Sequence, residues 1–266
     1  MLEIKVLGPF DARAQGKSVA PTAAKPRQIF ALLALRVGMI VPVPTLIEEI
    51  WGEAPPRSAL TTMQTYVLQL RRLIGTVAPG QQKDILVTRY NGYRLASDAV
   101  SVDANVYSER AESAYRAWNV GDYSTASRLS RDALDLWSGP ALVDVHKGMP
   151  LEVETTCLEQ NRLGLLETRI DADLRLGRHQ ALLVELSSLV TRNPSHENLS
   201  AQFMIALYRA GQPTRALEVF RQLRATLDSE LCVEPSARLQ RLHQQILSAS
   251  PDLEFSPGTG VPEPIH

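Results

Sequence analysis

The sequence predicts a mainly helical protein in two parts: a small mixed α/β domain over residues 1–97 and an all-helical domain over 98–250. Three observations carry this reading. Short period-two segments and a tight-turn signal bracket three helical segments in the first part. From about Asp103 onward amphipathic helical spacing is almost continuous. A pattern of small and apolar residues then recurs 34 residues apart, Ala172–Leu174–Gly177–Leu182 returning as Ala206–Tyr208–Gly211–Ala216, which is the tetratricopeptide period.

Taken in order, Leu2-Glu3-Ile4-Lys5-Val6-Leu7 alternates as a half-buried strand, and Gly8-Pro9 and Gly16-Lys17 punctuate short antiparallel strands out to Val19. Lys25 to Val37 places Ile29, Leu32, Leu33 and Leu35 at helical spacing, and Gly38 closes the segment. Pro44-Thr45 opens a second helix, Leu46 to Trp51, with Thr45 as N-cap and Glu48 completing a capping box. Gly52 to Arg57 is a loop containing Pro55-Pro56. A third helix follows from about Ser58 to Ile74, with Leu60, Met63, Val67, Leu70 and Ile74 turned to the core. Ile85 to Leu95 reads as a hairpin around Asn91-Gly92. In the second part, breaks at Gly121, Gly139-Pro140, Gly177, Pro194, Gly211 and Glu234-Pro235 separate the helices, and Gly121 with Ala126 is an earlier, less regular copy of the repeat. The tail 251–266, rich in Pro and Gly with little to bury, is expected to be disordered.

Composition narrows the function. The 266 residues, 44% hydrophobic and 21% charged, suffice for two modest cores. The net charge of −1 hides an asymmetry: residues 1–97 hold 12 Lys and Arg against 6 Asp and Glu, residues 98–266 hold 16 against 23. A basic domain joined to an acidic one points to a polyanion as partner of the first. Cys157 and Cys232 are too few for a disulfide framework and are expected to be small buried residues. No export signal and no membrane-length apolar run is visible, so a cytoplasmic, nucleoid-associated location is expected.

The order strand, three helices, hairpin is that of a winged helix-turn-helix, whose third helix enters the major groove. Its outer face offers Thr61, Thr62, Thr65 and Gln69: Gln can bond adenine in a bidentate manner, and a Thr methyl can pack on a thymine methyl. Tyr66 sits near the exposed edge and Arg71-Arg72 where phosphates would run. The alternatives are a solvated helix face and, for Arg71, local packing. In the hairpin, Arg89, Tyr90 and Arg94 suit a wing that meets the backbone or minor groove, although one of Tyr90 and Tyr93 must face inward by alternation.

Six runs carry a family resemblance. Leu46 to Gly52 with Thr65 to Leu73 resembles the OmpR-type winged helix of the Streptomyces antibiotic regulatory protein family. Leu136 to Val145, Arg175 to His179, Ala206 to Gly211 and Glu230 to Ser236 resemble that family's bacterial transcriptional activation domain. Cys232 stands where the family usually has Gly, and the nucleotide-binding ATPase module of its larger members is not found here. The resemblance implies an activator of a secondary-metabolite gene cluster that binds tandem direct repeats at promoters, self-associates head-to-tail on DNA and recruits RNA polymerase through its sigma and alpha subunits. It also implies groove-facing roles for Thr62, Thr65 and Gln69, a backbone contact by Arg71 or Arg72, and a polymerase contact by the loop Gly52, Glu53, Ala54, Pro55, Pro56 and Arg57. Two prolines stiffen that loop and lower the ordering cost of a transient contact.

Enzymatic readings do poorly. Gly16-Lys17-Ser18 ends like a phosphate-binding loop, but Gly8 stands at the wrong distance. The five histidines are scattered, and no Gly-x-Ser-x-Gly elbow occurs. No catalytic residue, metal or cofactor is expected. Two rival readings remain: a regulator whose helical repeats sense a ligand or peptide, and a scaffold whose winged helix no longer binds DNA.

Overall fold

The computed structural model describes residues 1–250 and Leu253. The rest of the tail lies outside the described residues. The elements are β1 (Leu2–Lys5), β2 (Asp11–Ala14), β3 (Lys17–Ser18), α1 (Ala24–Leu35), β4 (Val41–Pro42), α2 (Val43–Trp51), α3 (Ala59–Gly75), α4 (Gln82–Ile85), β5 (Leu86–Arg89), β6 (Gly92–Leu95) and β7 (Val100–Val102). Helices α5 (Asp103–Asn119), α6 (Tyr123–Leu134), α7 (Met149–Arg175), α8 (His179–Arg192), α9 (Glu197–Arg209), α10 (Pro213–Leu231) and α11 (Ala237–Leu247) follow. The fold class is the one read from the sequence. The packing divides the chain into two units that do not follow the 97/98 boundary: Met1–Glu112 with Asp132–Gly164, and Ser113–Arg131 with Leu165 onward.

In the first unit, β3-β2-β1-β7 form one sheet, antiparallel except for the parallel pair β1 and β7, where Leu2 faces Val100. The second sheet, β4-β6-β5, is the wing. Helix α1 is the centre of the core, with every residue from Ile29 to Ala34 buried. Such a helix is apolar on most of its circumference because neighbours cover it on all sides.

Three local expectations change. Helix α2 begins at Val43, not Leu46: Pro42 is the N-cap and Pro44 lies in the first turn, where its missing N–H costs nothing, and no side-chain cap bond forms. Thr45 is therefore inside the helix, and the capping box is not made. In the hairpin the two loop residues are Tyr90 and Asn91, with Arg89 paired to Gly92. Asn91 takes the left-handed conformation (φ 54°), and a Cβ at Gly92 would lie 2.6 Å from the Val41 carbonyl oxygen where β4 crosses. Both cysteines are exposed rather than buried.

The run from Leu136 to Leu151 packs with the first unit. The Ser138 and Leu142 N–H groups donate to the carbonyls of Leu7 and Val6, at 2.8 and 3.1 Å. Asp144 accepts the Phe10 N–H at 2.7 Å and pairs with Arg27, which also donates to the Phe10 carbonyl at 2.8 Å. Glu49, 2% exposed on α2, accepts the N–H groups of Gly148 and Leu151 at the start of α7, at 2.7 and 2.9 Å, and Gln28 Nε2 at 3.2 Å. The uncompensated amides of a helix N-terminus thereby find a carboxylate.

In the second unit the repeats are visible in their caps. Gly121, Gly177 and Gly211 have φ of 79°, 74° and 74°, and the next residue in each case donates its N–H five residues back, to Ala117, Asp173 and Leu207. This is a Schellman closure, which requires a left-handed residue. Ala126, Leu182 and Ala216 are buried at the matching place in the following helix. Asp173, buried, accepts from Ser127 (2.7 Å), Arg131 (2.6 Å), Arg169 (3.3 Å) and Arg178 (2.8 Å), which ties α6, α7 and the start of α8 together.

Candidate nucleic-acid interface

Helix α3 presents two contrasting faces. Ala59, Met63, Val67, Leu70 and Ile74 are buried. Thr61, Thr65, Gln69 and Arg72 are exposed and Thr62 is half-exposed. Thr65 donates its hydroxyl to the Thr61 carbonyl at 3.0 Å, which uses its proton and leaves the exposed oxygen as an acceptor. Leu60 is 50% exposed and does not belong to the core face; at the second helical position the chain has not yet come under the cover of its neighbours.

Two of the singled-out side chains on α3 are held locally. Tyr66 is half-buried and stacks on Trp51 of α2, ring centroids 6.5 Å apart at 24°. Lys25 Nζ lies over the Trp51 ring, 5.1 Å from its centroid. Arg71 donates Nε and Nη2 to the Leu86 carbonyl, at 3.1 and 2.7 Å, and Nη2 to Thr88 Oγ1 at 2.7 Å. It is the brace between α3 and the wing, the local pairing that its position nearer the core allowed. Arg72 remains outward.

At the wing tip Arg89 and Tyr90 are exposed, Tyr90 completely, while Tyr93 is buried. The inward tyrosine is thus Tyr93. Arg94 is half-buried, with a buried Nε that has no partner among the described residues. The Asn91 carbonyl accepts the Val43 N–H at 3.0 Å and fixes the wing turn to the start of α2. Residues Gly52 to Arg57 are all exposed between α2 and α3.

Sequence reading missed Leu68, 48% exposed in the middle of α3, and the Lys25–Trp51–Tyr66 stack. The first was legible from helical spacing, since Leu68 falls about 140° from the centre of the buried arc. The second required tertiary contacts between α1, α2 and α3. Among the described residues, no group of three or more His, Cys, Asp or Glu is placed to hold a metal ion, and no helix is long and apolar enough to cross a membrane.

A helix-turn-helix whose third helix buries one face and presents a mainly polar one, beside a β wing, is the architecture of a DNA-binding transcriptional regulator. Comparison with known proteins agrees. Residues 17–95 match the model described as transcriptional regulatory protein, C terminal, and residues 102–247 match the bacterial transcriptional activator domain. The chain is 53% identical to the regulatory protein DnrI of Streptomyces peucetius, over 98% of this chain and 97% of that one. It is 34% identical to the transcriptional regulator RedD of Streptomyces coelicolor, over 95% and 72%. It matches the regulatory protein AfsR of the same species at 38% identity, but spans only 25% of that protein. A solved structure of Mycobacterium tuberculosis EmbR with a low-affinity phosphopeptide superposes with a TM-score of 0.88 at 29% identity, over 94% of this chain and 66% of that one. The chain belongs to the Streptomyces antibiotic regulatory protein family: a transcriptional activator with an OmpR-type DNA-binding domain and a bacterial transcriptional activator domain.

Proposed function

We propose that this regulator reads duplex promoter DNA with α3 in the major groove and activates a secondary-metabolite gene cluster. The carrying observation is the outward row Thr61, Thr65, Gln69 and Arg72 opposite a fully buried face, within a segment, residues 1–97, that holds a surplus of six positive charges. Thr65 and Gln69 read base edges, Arg72 holds a phosphate, and Arg89 and Tyr90 approach the backbone beside the groove. Arg71 acts indirectly, by setting the angle between helix and wing. Direct repeats about 10.5 bp apart place two protomers head-to-tail on one face of the duplex. The exposed loop Gly52–Arg57 meets RNA polymerase, at its sigma and alpha subunits, without occupying the groove.

Two measurements test this. Gln69→Ala and Thr65→Ala should each weaken binding to a selected operator by about 1–3 kcal/mol and leave binding to random duplex nearly unchanged. Equal losses on both duplexes would remove α3 from the groove. Glu53→Ala with Arg57→Ala should leave operator affinity intact and lower transcription with purified polymerase; transcription that simply follows DNA occupancy would reduce the loop to a linker.

A further inference from the structure

The exposed apolar side chains of α3 have no role in a purely polar reading of bases. Leu60 and Leu68 are 50% and 48% exposed, eight residues and so two turns apart, with exposed Gln64 between them in one i, i+4, i+8 row. Leu68 is the more central. It lies three residues after Thr65 and four before Arg72, so the three side chains are neighbours on the outward face. A single exposed leucine is ordinary on a protein surface. Here Leu68 lies on the outward face of α3 and Leu60 at its margin, in a segment, residues 1–97, that holds 12 Lys and Arg against 6 Asp and Glu. The groove supplies one apolar group that could cover them. Among the four bases only thymine projects a methyl, at C5, onto the major-groove floor.

Resting on the α3 reading above, we propose that Leu68, with Leu60 two turns before it, is a specificity determinant that packs on thymine C5 methyl groups in the operator. The row then discriminates thymine by shape and apolar contact while Gln69 and Thr65 discriminate by hydrogen bonding. A contact of this kind leaves the Watson–Crick pairing of the base untouched and depends on the methyl alone.

That dependence supplies the test. The full chain selects its preferred duplexes from a random pool. The most enriched duplex is then resynthesised with deoxyuridine in place of thymine, one position at a time, which removes only the methyl. At one or more positions the parent protein should lose affinity by about three- to five-fold, the worth of one buried methyl-sized group. Leu68→Ala should bind the unmodified duplex more weakly and be indifferent to deoxyuridine at one of those positions, while Leu68→Met should keep the sensitivity. Melting temperature checks that the exposed substitutions leave the fold intact. If Leu68→Ala retains every methyl effect of the parent, or lowers transcription while DNA binding is unchanged, the inference falls. The α3 reading then stands or falls separately on Gln69→Ala. If no duplex is enriched, both readings fail.

Discussion

The carboxylate of Glu49 accepts the backbone N–H of Gly148 at 2.7 Å, and a Cβ at position 148 would lie 2.2 Å from the Glu49 carbonyl oxygen. The side chain of one residue and the absence of a side chain on the other are thus two halves of one contact. Helix α2 of the helix-turn-helix is joined through it to the first turn of α7. Glu49→Ala would leave the amides of Gly148 and Leu151 buried without an acceptor and should destabilise the first unit by about 2–4 kcal/mol. Gly148→Ala should cost about 1–3 kcal/mol through overpacking. Urea unfolding followed by fluorescence in a variant that keeps Trp51 and has Trp118 and Trp137 replaced by Phe measures both; a loss of less than about 0.5 kcal/mol in either variant would mean that the contact is dispensable.

The same carboxylate gives stability a pH dependence of one sign, and Asp173 gives the opposite one. Burial raises the Glu49 pKa above 4.5, against the lowering influence of its hydrogen bonds. The folded form therefore holds the proton more tightly, and this contribution is present below 4.5 and lost as pH rises through the folded value. At Asp173 burial also opposes ionisation, but Ser127, Arg131 and Arg178 outweigh it and hold the carboxyl below 3.8. Its contribution is present above 3.8 and lost as pH falls. Glu49→Gln should flatten the decline in stability from pH 4.5 upward, and Asp173→Asn the decline on the acid side. Unfolding midpoints collected across this range decide it, and unchanged slopes would count against both assignments.

Neighbouring arginines on α3 should behave differently. Arg72 is exposed, so Arg72→Ala should lower affinity for any duplex and reduce the salt slope by about one unit while stability is unaffected. Arg71 holds the Leu86 carbonyl and Thr88. Arg71→Ala should cost about 1–2 kcal/mol of stability, because a charged donor serving the wing is lost. Paired salt titrations and thermal melts separate the two. Identical behaviour of the variants would dissolve the distinction between phosphate contact and brace.

Cys232 closes α10 in the left-handed conformation, φ 54° and ψ 38°. A residue with a Cβ pays about 1–2 kcal/mol there, and glycine does not. Cys232→Gly should therefore raise the stability of the repeat unit by about 1 kcal/mol, seen as a higher urea midpoint with the same slope. A variant no more stable than the parent would show that the exposed cysteine makes good its backbone strain elsewhere.

Most of the secondary structure was legible because it rests on local signals. The buried arc of α3, the three repeat glycines and the wing hairpin follow from spacing and turn chemistry alone. What escaped depends on partners distant in sequence. Val100–Val102 is too short to announce itself, and becomes β7 only because Leu2 to Ile4 pairs with it. Leu136 to Val145 stands out as a family motif, yet nothing local says that Ser138 and Leu142 will bond Leu7 and Val6. Leu60 nearly matches the period, which predicts a core position, and only the third dimension leaves it uncovered. At the candidate site the polar row is readable, and so is local pairing as an alternative for Arg71, whereas its partners on β5 and the stacking of Tyr66 on Trp51 are not.

The positions of the repeat glycines bear on how such regulators can be recombined. Gly177 and Gly211 are one period apart, whereas Gly121 and Gly177 are separated by more than that, and the surplus includes Ser138, Asp144 and Gly148. Those residues fall inside the span matched by the activator-domain model but serve the winged-helix unit. A chimera cut near residue 102, between the two family matches, would graft a foreign insert onto Glu49, Arg27 and the end of β1. The viable exchange carries residues 132–164 along with the DNA-reading half, so that the unit of inheritance for specificity is a discontinuous stretch of the gene.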